Sequence, residues 1–213
     1  MKANPESPRV VRRWRRAADV FFLLALGAPA GSGVNAVATD LEWVTPAVRA
    51  PGLERRTFES ATAGTRVSYH ILVPEAYGAE AGLRFPVLYW LHGGGGSDGR
   101  AVVGGVASMA ARFSGAMRGG QIAPMLVVFP NGMHSLWLDS RDGRIPMETV
   151  LIKELVPHID ASFRTIASRE GRIIEGFSMG GYGAAHLGFK YPDVFGSISI
   201  LSGGPLQREF DEA

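Results

Sequence analysis

The sequence contains no cysteine. This excludes disulfide cross-links, thiol nucleophiles and cysteine-ligated metal centres, so stability must come from core packing and covalent catalysis from an oxygen nucleophile. Long apolar runs are lacking as well. The most apolar stretch, Val20-Phe-Phe-Leu-Leu-Ala-Leu26, falls well short of the roughly 20 residues that span a bilayer. No internal repeat or low-complexity tract interrupts the chain. Histidine is scarce, with five in all, and His186 is the one that lies beyond residue 178.

The net charge of +2 is local in origin. Lys2, Arg9, Arg12, Arg13, Arg15 and Arg16 precede the apolar run, and small residues with Ala28-Pro-Ala30 and Ala36-Val-Ala38 follow it. Basic, apolar, then small is the layout of a secretory signal peptide. Residues 1–38 are therefore read as a signal and the mature protein as secreted or periplasmic, with an uncleaved membrane anchor as the alternative. Their removal leaves 16 basic against 18 acidic residues. A slightly acidic chain offers no footprint for nucleic acid, and no stable membrane insertion is expected after cleavage.

Residues 39–53 read as an irregular lead-in broken by Pro46 and Pro51, and residues 54–213 as one folded domain. Arg56 to Ser60 and Arg66 to Val73 flank the turn-like Ala61-Thr-Ala-Gly64. Val67, Tyr69, Ile71 and Val73 alternate, which predicts an antiparallel hairpin. Phe85 to Leu91 and Met125 to Pro130 are almost wholly apolar, as strands covered on both faces are. Ala101 to Arg118 carries Val102, Val106, Met109, Phe113 and Met117 at helical spacing and is stopped by Gly119-Gly120. A second helix is predicted from Pro146 to about Phe163, kinked at Pro157. A strand over Arg172 to Phe177, a helix ending near Pro192 and a strand over Ser197 to Leu201 complete the pattern. Alternating strands and helices predict an α/β fold with a mainly parallel sheet.

The chemistry centres on Arg172-Ile-Ile-Glu-Gly-Phe-Ser-Met-Gly-Gly-Tyr-Gly183. Ser178 between Gly176 and Gly180 is the G-x-S-x-G pattern of a nucleophile elbow, a sharp turn from strand to helix. The glycines remove Cβ atoms that would collide there, and the helix start aims free N–H groups at a developing oxyanion. A second glycine site, His92-Gly-Gly-Gly-Gly96, ends another predicted strand. Strand carboxyl ends share one rim in such sheets, so the two sites should meet. The N–H of Met179 and of Gly93 or Gly94 would then be the oxyanion donors. Acyl transfer of this kind needs no metal or organic cofactor.

Leu91-His-Gly-Gly-Gly-Gly96, Glu154-Leu-Val-Pro-His-Ile-Asp160, Gly176-Phe-Ser-Met-Gly-Gly-Tyr-Gly183 and Lys190-Tyr-Pro-Asp-Val-Phe-Gly196 together resemble the α/β-hydrolase superfamily. The likeness is to the esterase group that includes S-formylglutathione hydrolases, feruloyl and acetyl-xylan esterases and mycolyltransferases. It runs from about Leu53 onward. The resemblance implies an exported serine carboxylesterase acting on a small-molecule or polysaccharide-linked ester, with Ser178 as nucleophile. An acyltransferase of the same fold and a non-catalytic binding module are the alternatives.

In that superfamily the order is serine, acid, then histidine. Asp193 and Asp211 are the aspartates after Ser178, and neither is placed to act. His186 follows on the elbow helix and is carried away from the turn. The triad acid and base are thus unidentified, and the chain is expected to lack the last two strands of an eight-stranded plan, leaving an exposed apolar edge. His92 and His158 are read as structural, and His70 as remote from the rim. His134 and Trp137 are candidates for lining the substrate pocket, although Trp137 equally suits a loop anchor. Glu175, just before the elbow, is expected to be ion-paired.

Overall fold

A computed structural model describes residues 43–79, 81–94 and 104–204. The predicted signal peptide, Gly95 and Gly96 of the glycine loop, Val102 and Asp211 lie outside these residues. Six strands form one sheet: β1 (Leu53–Ser60), β2 (Thr65–Leu72), β3 (Val87–Leu91), β4 (Leu126–Pro130), β5 (Arg172–Phe177) and β6 (Ser197–Leu201). Their spatial order is β1-β2-β4-β3-β5-β6. β1, β2 and β4 pair antiparallel, whereas β4, β3, β5 and β6 run parallel. The mainly parallel α/β sheet is the one that the alternation of elements predicts, and with its antiparallel hairpin it has the α/β-hydrolase plan that the resemblance implies.

Both faces of the middle strands are covered, which explains their unbroken apolar sequence. On one face Val67, Tyr69, Ile71, Val87, Tyr89, Leu91, Val128 and Ile174 pack with helical residues such as Leu151, Ile159, Ala184 and Leu187. On the other, Leu72, Leu88, Trp90, Val127 and Phe129 meet Val106 and Ala110 of α2 (Val106–Arg118). A short α1 (Ala76–Ala79) lies between β2 and β3. The lead-in is irregular but anchored. Trp43 is buried, the N–H of Ser68 donates to the Trp43 carbonyl, and Thr45 bonds to the Ser68 hydroxyl.

The helix predicted from Pro146 to Phe163 forms as α3, in three parts. It opens as Met147–Thr149, widens into a π-helical segment Val150–Leu155, and returns to α geometry over Val156–Ser162. The N–H of Val156 reaches back to the Leu151 carbonyl. The wider turn accommodates Pro157, whose ring crowds the carbonyl four residues earlier. The expected kink is therefore a π-bulge just ahead of the proline. The elbow helix, α4 (Met179–Lys190), crosses the sheet beside it. Glu148 on α3 joins the two helices: it is buried and receives bonds from His186 (2.7 Å), Lys190 (2.6 Å) and Tyr191. Burial pushes the Glu148 carboxyl up, but those three donors outweigh it and hold the group below its ordinary value.

Candidate active site

β5 ends at Phe177 and α4 begins at Met179, so the whole reversal falls on Ser178. Its backbone sits at φ 55° and ψ −115°, a region that favours glycine and costs a serine about 1–3 kcal/mol. Neighbouring glycines make the turn sterically feasible. A Cβ on Gly176 would lie 2.0 Å from the Gly180 carbonyl oxygen, and one on Gly180 would lie 2.0 Å from that of Leu91. Backbone cannot yield to such contacts, so both positions admit glycine alone. The Ser178 N–H donates to the Leu201 carbonyl at the end of β6, and the Ser178 carbonyl accepts the first helical bond, from Tyr182. The side chain is exposed and is not used for capping. Among the described residues nothing hydrogen-bonds its hydroxyl.

The second glycine site arrives at the same place. β3 and β5 are parallel with Leu91 opposite Gly176, so both strands deliver their following residues to one rim. A Cβ on Gly93 would come within 3.2 Å of the Phe177 carbonyl and 3.4 Å of the Ser178 Cβ; one on Gly94 would touch Met179 at 3.7 Å. Gly93 and Gly94 thus lie directly against Ser178 and Met179.

His92 holds this loop. Its Nε2 lies 3.0 Å from the Gly132 nitrogen, and Nδ1 lies 2.9 Å from the Gly93 carbonyl. An amide N–H can only donate, so Nε2 is the acceptor and Nδ1–H donates to Gly93. The ring is neutral, and its pKa is pushed down to about 4, chiefly by burial. His92 is therefore the structural histidine that its position in the chain predicts. His158, which stacks on Phe58 and bonds the Tyr69 hydroxyl at 3.0 Å, is structural too.

The readings of Trp137, His70 and Glu175 need correction. Trp137 is fully buried, so it is not part of a pocket wall. Its indole N–H donates to the His92 carbonyl at 3.3 Å, and the ring packs between Gly132 and Gly183. His134 is exposed on the loop after β4. His70 is not remote from the rim: β2 runs antiparallel to β4, which sets Tyr69 opposite Pro130. His70, Trp90, His92 and Asn131 consequently line one cavity of about 10 Å³. Glu175 makes no ion pair among the described residues; it lies beside Trp90 on β3 and Ser199 on β6. His186 bonds Glu148 and stacks on Tyr182, away from the elbow. Sequence reasoning missed the role of Gly132 and Gly183, whose purpose is visible only once the indole between them is seen.

Comparison with known proteins fits this geometry. Residues 60–211 match the family model described as "Putative esterase". An esterase of Mycobacterium tuberculosis is 34% identical over 167 residues, which are 75% of this chain and 34% of that protein. An endo-1,4-beta-xylanase/feruloyl esterase of Xylanibacter ruminicola is 31% identical over 74% of this chain and 22% of its own length. This chain thus spans about a third or less of these curated relatives. Among solved structures, a ferulic acid esterase superposes with a TM-score of 0.56 at 28% identity, covering 67% of this chain and 56% of that one. An S-formylglutathione hydrolase of Staphylococcus aureus gives 0.54 at 21% identity, over 71% and 57%. With the elbow, the sheet order and the family match in agreement, the chain belongs to the esterase family of the α/β-hydrolase fold.

Proposed function

We propose that this chain carries the nucleophile of an exported serine carboxylesterase. Ser178 Oγ attacks the carbonyl carbon of an ester; a C–O bond forms and the carbonyl oxygen becomes an oxyanion. The N–H of Met179 and that of Gly93 or Gly94 receive it. One such donor contributes roughly 3–4 kcal/mol to the transition state. The alcohol then leaves with the proton lost by Ser178, and water releases the acid from the acyl-enzyme. The substrate is a small-molecule or polysaccharide-linked carboxylic ester, and His134 lines its approach. The basic, apolar, then small order of residues 1–38 supports export.

The observation that carries this reading is Ser178 itself. It is held in a strained turn, exposed and unused in capping, with Gly93 so close that a Cβ there would come within 3.2 Å of the Phe177 carbonyl. Strain kept at a serine that makes no structural bond through its hydroxyl points to function. A second reading, a non-catalytic binding module, is favoured by the absence of an acid or base at the Ser178 hydroxyl among the described residues. A fluorophosphonate probe separates the two. Labelling of the wild-type chain that vanishes in Ser178→Ala supports the esterase. An unlabelled, folded wild-type chain supports the binding module.

A further inference from the structure

Trp137 stands at the junction of three segments that are far apart in sequence. The far edge of its indole fills the space beside Gly132, where a Cβ would meet ring carbons at 2.4 to 2.7 Å. The near side fills the space beside Gly183 on the elbow helix, where a Cβ would meet Cδ1, Cγ and Cβ at 2.5 to 2.7 Å. The indole N–H holds the His92 carbonyl, and the two rings lie 5.0 Å apart at 60°. One side chain therefore touches the loop after β4, the elbow helix and the residue that precedes Gly93.

The loop that presents it is wound for the purpose. Met133, Leu136 and Trp137 all have positive φ, at 48°, 54° and 63°. Three non-glycine residues in the left-handed region within five positions are uncommon and persist only where the surroundings over-determine them. Ser135 supplies part of that determination: its hydroxyl donates to the Gly132 carbonyl at 2.6 Å and accepts the Trp137 N–H at 3.0 Å. The His92 ring closes the circuit, taking the Gly132 N–H and giving its own to the Gly93 carbonyl.

We propose that Trp137 is a positioning residue that sets the spacing between the Gly93–Gly94 backbone and the start of the elbow helix. It acts as a wedge: the indole keeps α4 and the glycine loop at the separation that aims their N–H groups at one point. This rests on the reading of Met179 and Gly93 or Gly94 as oxyanion donors. Trp137 touches no substrate, and its effect passes through His92 and Gly183.

Two measurements on Trp137→Phe and Ser135→Ala test the proposal. The first is residue-resolved amide hydrogen exchange, which needs no activity. Exchange at Gly132, Ser178 and Tyr182, whose N–H groups are bonded to His92, Leu201 and Ser178, should accelerate about tenfold or more in Trp137→Phe and less in Ser135→Ala, while core amides such as Tyr89 and Val128 keep their wild-type rates. Uniform acceleration, or no change at these three amides, overturns the proposal. The second is the fluorophosphonate labelling rate, with about a tenfold loss expected in Trp137→Phe. If wild type labels and Trp137→Phe labels equally fast, the wedge role fails while Ser178 stands as nucleophile. If wild type does not label, the esterase reading fails and the exchange pattern alone decides the role of Trp137. Should Trp137→Phe not fold, Ser135→Ala carries both measurements.

Discussion

The two edges of the sheet are built on opposite plans. β1 carries Glu54, Arg55, Arg56 and Glu59, and it adds exposed pairs of Arg56 with Glu54 (2.6 Å) and Arg66 with Glu59 (2.8 Å). Charge of this kind discourages a further strand from pairing. β6 reads Ser-Ile-Ser-Ile-Leu and bears none. Ile200 and Leu201 are 43% exposed, and the neighbouring Phe177 is 50% exposed. β1 is thus designed as a boundary, whereas β6 has the sequence of an interior strand. The nucleophile belongs to the second side, since its own N–H is bonded to Leu201. Among the described residues β5 is the strand that pairs with β6, so packing against the elbow helix must help to hold it.

That packing can be broken directly. Gly181 faces the end of β6, and an added Cβ would lie 2.7 Å from the Leu201 carbonyl oxygen and 2.8 Å from the Gly203 nitrogen. Gly181→Ala should lower stability by about 3 kcal/mol, read as a shift in urea midpoint. A methyl at Thr57→Val on β1 should change it by less than about 0.5 kcal/mol. Equal effects at the two edges would end the contrast.

A similar loss, spread over more than two pH units, is expected from the buried histidines between the edges. In the unfolded chain His92 takes a proton near pH 6.5, but in the fold it resists until about 4. The folded state therefore binds fewer protons in that window. Its stabilising contribution is complete above about pH 6.5 and falls as pH drops to 4, by about 3 kcal/mol in total. His70, lowered to about 4 by burial and then by Arg55, adds a fall of the same sign. A urea midpoint that stays flat from pH 7 to 4.5 would contradict this.

Smaller still is the strain at the elbow. Ser178→Gly should raise stability by about 1 kcal/mol, since glycine accepts φ 55° without penalty, while fluorophosphonate labelling disappears. Thermal denaturation checks the first half; an unchanged or lower midpoint would mean that the turn is not strained. Finally, Ile200→Lys should leave stability within about 0.5 kcal/mol and reduce self-association measured by light scattering. If charge at β6 has no effect on association, that edge is not the sticky one.

What could be read from the sequence followed the range of the interactions. The elbow is legible because Gly176, Ser178 and Gly180 act on one another within a single turn. The hairpin is legible because β2 alternates, and the middle strands because burial on two faces demands unbroken apolar runs. Long-range placement was not legible. The sequence alone sets His70 far from the rim, because nothing local reveals that β2 runs antiparallel to β4. The sequence leaves Trp137 open between pocket wall and loop anchor, because its partners, His92, Gly132 and Gly183, meet only in three dimensions. An ion pair is the expectation for Glu175 from sequence, yet the register sets it beside Trp90 and Ser199.

The strand order also carries a timetable. β1 meets β2 across a tight turn, Ser60 opposite Thr65, so that end of the sheet can form as soon as the hairpin exists. Val87 finds Arg172 only after the chain between them has been drawn into one long closure. Contacts of that span are slow to form. His92 and Ser178 directly follow the two strands joined by this late step, so the nucleophile and its glycine loop should be among the last parts of the molecule to come together during folding.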